Sequence, residues 1–130
     1  ETANTVTQTN TQEAKNSQTT SFSKGAAIYQ AALNQVGTTQ DCTMLVTNAL
    51  KAVGISYHNW PAGYMSLGTV VSAYEAQPGD LIYYANGGTG YAHIAVYAGN
   101  GKAVHGGWLG NQTVVNSANV GSGAVYMRVS

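Results

Sequence analysis

The sequence predicts an α+β domain, and three observations carry that reading. Its 130 residues suit a single domain. Two stretches with apolar residues at helical spacing come early, around 26–36 and 45–53. After Pro78-Gly79-Asp80 the character changes to short apolar runs separated by glycine-rich turns, which read as antiparallel strands.

The elements follow in order. Residues 1–23 are almost all Thr, Asn, Gln, Ser, Ala, Glu and Val, with Phe22 the one aromatic. Such a segment buries too little apolar surface to offset its ordering entropy. It reads as a disordered polar linker, either to an upstream anchoring or binding module or as a plain terminus, with the folded domain over 24–130. The chain starts with Glu1 and reads as a fragment or processed product of something longer. Ala26, Ala27, Ala31 and Ala32, with Ile28, Leu33 and Val36, form a helical stripe that Gly37 ends. Asp41 is an N-cap for a second helix carrying Leu45, Val46, Ala49, Leu50 and Val53, and Gly54 ends it. Residues 55–63 read as loop, and a weaker helix is expected over Leu67–Tyr74. Strands are expected at 81–84, 93–98, 102–106, 112–116 and 124–129, with loops at Asn86-Gly87-Gly88-Thr89-Gly90 and Gly99-Asn100-Gly101.

Composition excludes several functions. Formal net charge is zero and charged residues make up 8%, with no basic stripe, so no nucleic-acid partner is expected. No apolar run reaches the roughly 18 residues of a membrane-spanning helix. An uncharged surface rich in Gly and Tyr suits an extracellular setting. Nothing points to oligomers, and a monomer is expected.

The chain has one cysteine, Cys42, and three histidines, His58, His93 and His105. A lone thiol forms no internal disulfide and is too little for a structural zinc site, but with histidines elsewhere it is a candidate nucleophile. If Asp41 caps the helix, Cys42 takes its first position. There the partial positive charge and free N–H groups favour a thiolate and suit an oxyanion. The competing reading is a buried Cys packed as a small hydrophobe.

Hairpin register decides whether His93 and His105 meet. A two-residue Asn100-Gly101 turn pairs Gly99 with Lys102, sets Val96 opposite His105 and sends the histidines to opposite faces. A three-residue loop pairs Ala98 with Lys102, sets Ala95 opposite His105 and makes the histidines diagonal neighbours on one face. Gly101 suits the left-handed last position of the longer loop, so that register is expected; Gly99 paired with Lys102 would argue against a shared site. His93 then serves as general base to Cys42, and His105 accepts a hydrogen bond from the other ring nitrogen of His93. A Cys42–His93 ion pair predicts a rate that rises and falls around two coupled pKa values; a rate climbing through the free-thiol range, near pH 8.5, argues against it.

These residues resemble the NlpC-type cell-wall cysteine peptidases, a bacterial branch of the papain-like fold. The resemblance runs from about Ala26 to Val129. It rests on Asp41-Cys42-Thr43, Leu45-Val46, Ala52-Val53-Gly54-Ile55, Gln77 through Tyr84, His93 through Gly101, and Val104-His105-Gly106. It implies N-terminal helices packed on a small antiparallel sheet, with Cys42 as nucleophile, His93 as base and His105 as third residue. It also implies a secreted or wall-associated endopeptidase acting on peptidoglycan stem peptides between D-glutamate and the following diamino acid, without metal or organic cofactor. By that resemblance Asp41, just before the nucleophile, helps bind the substrate amine, and Thr43 is a further candidate substrate contact. An upstream wall-binding module or an inhibitor protein is a possible partner. The chain departs from the family where Gly37-Thr38-Thr39-Gln40 runs almost directly into Asp41-Cys42. A Tyr and a Trp-Gly-Gly-like stretch usually stand about a dozen residues before the Cys. Tyr29 lies near that distance but on the first helix, so the oxyanion partner stays open, and a more open cleft is expected. Thr43-Met44 replaces the usual Ser-Gly.

Trp108 is a candidate substrate wall or a packing residue. His58-Asn59-Trp60 is a loop that lines the cleft or simply the surface. Asp80 is expected to serve the Pro78-Gly79 turn. A metal site of His58, His93 and His105 lacks paired-ligand spacing. Two other functions compete: amide hydrolysis at N-acetylmuramoyl-L-alanine or acyl transfer with the same triad, and a non-catalytic wall-binding module.

Overall fold

The computed structural model describes residues 13–130, with side chains from residue 23 onward. Residues 1–12 of the expected linker lie outside the described residues. Helix α1 spans Glu13–Leu33, so helical backbone begins inside the segment expected as a disordered linker, ahead of residue 24. On its stripe Ile28 and Ala32 are fully buried, whereas Val36 lies past the helix end and is half exposed. The turn closes at Gly37, whose φ of +95° favours glycine.

Helix α2 spans Cys42–Lys51. Asp41 caps it as expected, its carboxylate accepting from the Met44 amide at 2.8 Å. Leu45, Val46, Ala49 and Leu50 are fully buried. Between Gly37 and Asp41 the short connection is stitched to the strand edge at 112–117. Gly37 N donates to the Thr113 carbonyl at 2.9 Å, and Gln40 N to the Asn111 carbonyl at 2.7 Å.

The helix expected over Leu67–Tyr74 does not form. A 3-10 helix covers Pro61–Leu67, followed by strand β1, Gly68–Val71. Thr69, Val70 and Val71 are β-branched, which favours a strand. Gly68 lets β1 lie close to its partner: a Cβ there would stand 1.8 Å from the Arg128 carbonyl oxygen.

Strands β2 (Leu81–Asn86), β3 (His93–Gly99), β4 (Lys102–Trp108), β5 (Gln112–Ser117) and β6 (Ser122–Val129) fall where expected, with small extensions. They form one antiparallel sheet in the order β1-β6-β2-β3-β4-β5. Helices α1 and α2 cover one face, where Ile28, Leu45, Leu50, Ile94, Val104 and Met127 share a core. Ile82, Tyr84, Ala95, Ala103 and Ala118 form a smaller cluster. By strand alternation His93 and His105 point to the side of Ala95 and Ala103.

The β3–β4 hairpin corrects the loop expectation. Gly99 pairs with Lys102, leaving a two-residue Asn100-Gly101 turn with φ values of +55° and +74°. By parity alone the histidines would then face opposite ways. The register shifts, however, between Tyr97 and Gly99, so that Tyr97 pairs with Ala103 and Val96 with Val104. Ala98 is the extra residue of a β-bulge. It restores the register that sets Ala95 opposite His105, and the two histidines share a face after all. Pairing of Gly99 with Lys102 therefore does not separate the histidines, because the bulge beyond the turn resets the parity.

Asp80 serves its turn, accepting from Gln77 N at 2.7 Å, and also takes both arms of Arg128, Nε at 3.1 Å and Nη2 at 2.9 Å. The carboxylate is almost fully buried while Arg128 stays about a third exposed. Arg128→Met should strand a buried carboxylate. The expected loss, discounted for that exposure, is about 2 kcal/mol. It is read as a lower urea midpoint with an unchanged m-value; an unchanged midpoint would mean the pair contributes nothing.

Candidate active site

The site forms where α2 begins, β3 starts and β4 ends. Gly106 and Gly107 bring β4 against the α2 N-terminus. A Cβ at Gly106 would lie 2.6 Å from the Asp41 carbonyl oxygen, and one at Gly107 3.1 Å from the Cys42 nitrogen. Gly107 N also donates to the Gln40 carbonyl at 2.8 Å. Cys42 is half-buried at the first position of α2 and meets β3 at the residue beside His93, the Ile94 amide acting on its sulfur.

The two histidines are hydrogen-bonded, His93 Nε2 to His105 Nδ1 at 2.9 Å. Their ring centres are 5.2 Å apart and the planes differ by 22°. With that short N···N distance the rings meet edge to edge, not face to face. His105 is fully buried, and its Nε2 lies 2.8 Å from the Ser117 carbonyl. A carbonyl only accepts, so His105 Nε2 carries the proton. Neutral His105 then presents a lone pair at Nδ1, so His93 Nε2 carries the second proton. His93 Nδ1 is left as a free base. These tautomers are assigned from the hydrogen-bond network.

Two clefts meet at Ala92, which lines both. One, of about 830 Å³, is walled by Asp41, Cys42, Thr43, the loop His58-Asn59-Trp60 and Tyr91. The other, of about 740 Å³, is walled by His93, Trp108, Leu109 and the Gly87-Gly88-Thr89 loop. Trp108 both lines the second cleft and packs on His105 at 4.8 Å between ring centres. Asp41 is exposed at the first cleft, with one carboxylate oxygen engaged by the Met44 amide and the Thr43 hydroxyl. Thr43 is buried, and its hydroxyl is taken up by Asp41. Tyr29 packs against the helix-side core, and His58 joins Thr47. Among the described residues no group of three His, Cys, Asp or Glu is placed to hold a metal ion.

A model of the NlpC/P60 family matches residues 24–128. The chain belongs to the NlpC/P60 family. A probable endopeptidase p60 from Listeria seeligeri is 35% identical over 68 residues, 52% of this chain and 13% of that protein. The peptidoglycan endopeptidase RipB from Mycobacterium tuberculosis is 37% identical over 62 residues, 48% of this chain and 25% of that protein. The matched regions thus span a quarter or less of those relatives. Among solved structures, the P60 domain of a Mycobacterium avium subspecies paratuberculosis antigen superposes with a TM-score of 0.71 at 18% identity, covering 84% of this chain and 96% of that one. RipD from M. tuberculosis, a non-catalytic NlpC/p60 domain protein adapted to peptidoglycan binding, gives 0.66 at 19%, covering 82% and 98%. These likenesses show the α+β fold. Among the described residues no helix is long and apolar enough to cross a membrane.

In this NlpC/P60 domain burial works against the charged forms that a Cys42–His93 ion pair would need. Burial is the largest influence on Cys42 and pushes its thiol up. The Ile94 amide pulls it back, Asp41 pushes it further up, and the Cys42 and Thr43 amides pull it back. The helix start acts in the expected direction, and desolvation outweighs it. Burial and then His105 lower His93 to about 4, and burial also lowers His105. Burial thus shifts both the Cys42 thiol and the His93 imidazole toward their neutral forms. Sequence reasoning missed the Ser117 carbonyl, the Ile94 amide and the Thr47–Tyr64 pair behind His58. The first two are backbone groups without a side-chain signal.

The lowered histidines make stability depend on pH. The unfolded chain takes up protons at these residues as pH falls through about 6.5, whereas folded His93 waits until about 4. Stability should be complete above pH 6.5 and decline as pH falls toward 4, by about 3 kcal/mol from His93 alone. His105 acts in the same direction. Urea midpoints at pH 7 and 4.5 check this, and His93→Gln should flatten the difference. Equal midpoints in the unmodified protein would contradict the lowered values.

Proposed function

We propose that this chain is a secreted or wall-associated cysteine endopeptidase that hydrolyses peptidoglycan stem peptides between D-glutamate and the following diamino acid. Cys42, His93 and His105 are its catalytic triad. The observation that carries the proposal is the ordered chain from the Ser117 carbonyl through His105 to His93, which leaves His93 Nδ1 as a base beside the residue that meets Cys42. Membership of the NlpC/P60 family and similarity to the peptidoglycan endopeptidase RipB support the substrate class.

In the proposed reaction, Cys42 Sγ attacks the scissile carbonyl as its proton passes to His93 Nδ1. The neutral resting pair means that this transfer accompanies attack. The Cys42 and Thr43 amides, which have no earlier helical turn to bond, receive the oxyanion. His93 returns the proton to the leaving amine, and water hydrolyses the thioester by the same route. The substrate runs along the joined clefts, with Asp41 on the Cys42 side and Trp108 on the His93 side.

Mass spectrometry of fragments released from purified peptidoglycan tests the reading. New chain ends between D-glutamate and the diamino acid, from the unmodified protein and not from Cys42→Ala, are expected. Ends at the muramoyl–alanine amide would instead make it an amidase, and release by neither protein would favour a binding module. His105→Asn keeps an acceptor for His93 and should lose less than His105→Ala, for which a kcat loss of roughly 10³-fold is expected with little change in KM. Equal activity in all three would remove His105 from the mechanism.

A further inference from the structure

Tyr84 is fully buried on the face of the sheet that carries both histidines. Its ring centre is 5.4 Å from that of His93 and 6.2 Å from that of His105. In the β2–β3 ladder it is the direct partner of His93. A Phe would fill the same space, and burying a phenol hydroxyl is costly unless the group is hydrogen-bonded. Here the hydroxyl donates to the Ala118 carbonyl at 2.7 Å. Among the described residues no other donor is bonded to that carbonyl. Burial pushes the phenol well above its ordinary range, and Tyr126 adds to the shift, so the donor keeps its proton.

The bond matters because of where Ala118 lies. Strand β5 ends at Ser117, so no ladder holds the chain beyond it. The Ser117 carbonyl and the Ala118 N–H belong to one planar peptide unit. The carbonyl of that unit accepts from His105 Nε2 at 2.8 Å, and its N–H donates to the Gly101 carbonyl at 2.8 Å. The next unit carries the Ala118 carbonyl, and the Tyr84 hydroxyl pins it. Two consecutive planar units are thus held at three points. Without the Tyr84 bond a buried carbonyl has no donor. Rotation about the Ala118 bonds to find one would move the Ser117 carbonyl away from His105. We propose that Tyr84 is a positioning residue of the histidine chain: through Ala118 it holds the Ser117 carbonyl against His105 and so keeps the His105 proton on Nε2. Tyr84 lines neither cleft, so it acts through the histidines and not on the substrate. Its effect on catalysis rests on the triad proposed above.

Tyr84→Phe removes the hydroxyl and keeps the ring. NMR with ¹⁵N-labelled histidine reads how fast the His105 Nε2 proton exchanges with water. In Tyr84→Phe that exchange should be about tenfold faster, the protection given by one buried hydrogen bond. On stem peptides kcat should fall about tenfold, with KM within about twofold of the unmodified protein. Replacing Tyr84 by 4-aminophenylalanine, whose amine still donates to the Ala118 carbonyl, should restore both readings. Arg128→Met, which lowers stability through Asp80, should change neither. Exchange in Tyr84→Phe at the unmodified rate would overturn the proposal, as would equal acceleration in Arg128→Met, which would make the effect one of stability alone. A 4-aminophenylalanine variant that behaves like Tyr84→Phe, or faster exchange with an unchanged kcat, would also overturn it. The exchange reading needs no substrate. Faster exchange in Tyr84→Phe, where the unmodified protein releases no fragments from peptidoglycan, would refute the endopeptidase reading and leave the hold on His105 standing.

Discussion

The Ser117 carbonyl sets the direction of every proton in the histidine chain. It forces the proton of His105 onto Nε2, which forces that of His93 onto Nε2, which leaves one base nitrogen free. Because this anchor is a backbone group at the end of β5, the site depends on the β4–β5 pairing that holds Lys102 opposite Ser117. Tyr84 steadies the next residue, its hydroxyl donating to the Ala118 carbonyl at 2.7 Å, while its ring lies beside both imidazoles.

Burial gives this chain its rigidity and sets its resting charge. In water an N-terminal helix position would favour a thiolate. Here the cost of desolvating a charge exceeds what three amides return to Cys42, and burial shifts His93 toward its neutral form as well. In the proposed reaction a neutral pair still suffices: the oxyanion would form at the Cys42 and Thr43 amides, and His93 Nδ1 would take the proton as attack proceeds.

Much of this was legible in the sequence because it rests on strong local signals. Asp41 before an apolar stripe marked α2 and placed Cys42 at its start; Pro78-Gly79-Asp80 marked the change to strands; the spacing of His93 and His105 around Gly99-Asn100-Gly101 marked the hairpin. What escaped was set by pairing across the sheet. The Ala98 bulge has no signature in its own side chain, yet it decides which face His93 takes. Likewise, Leu67–Tyr74 carries a weak helical pattern, and pairing with β6 draws Gly68–Val71 into a strand. The Ser117 carbonyl was invisible for the same reason, since tertiary pairing alone brings it to His105.

The histidine tautomers are the most direct point of test. Long-range ¹H–¹⁵N NMR on the resting protein at pH 7, with ¹⁵N-labelled histidine, distinguishes protonated from bare ring nitrogens. His93 and His105 should both be neutral and protonated at Nε2, with a bare Nδ1. A proton on His93 Nδ1, or an imidazolium at either residue, would contradict the proton order on which the proposed mechanism stands.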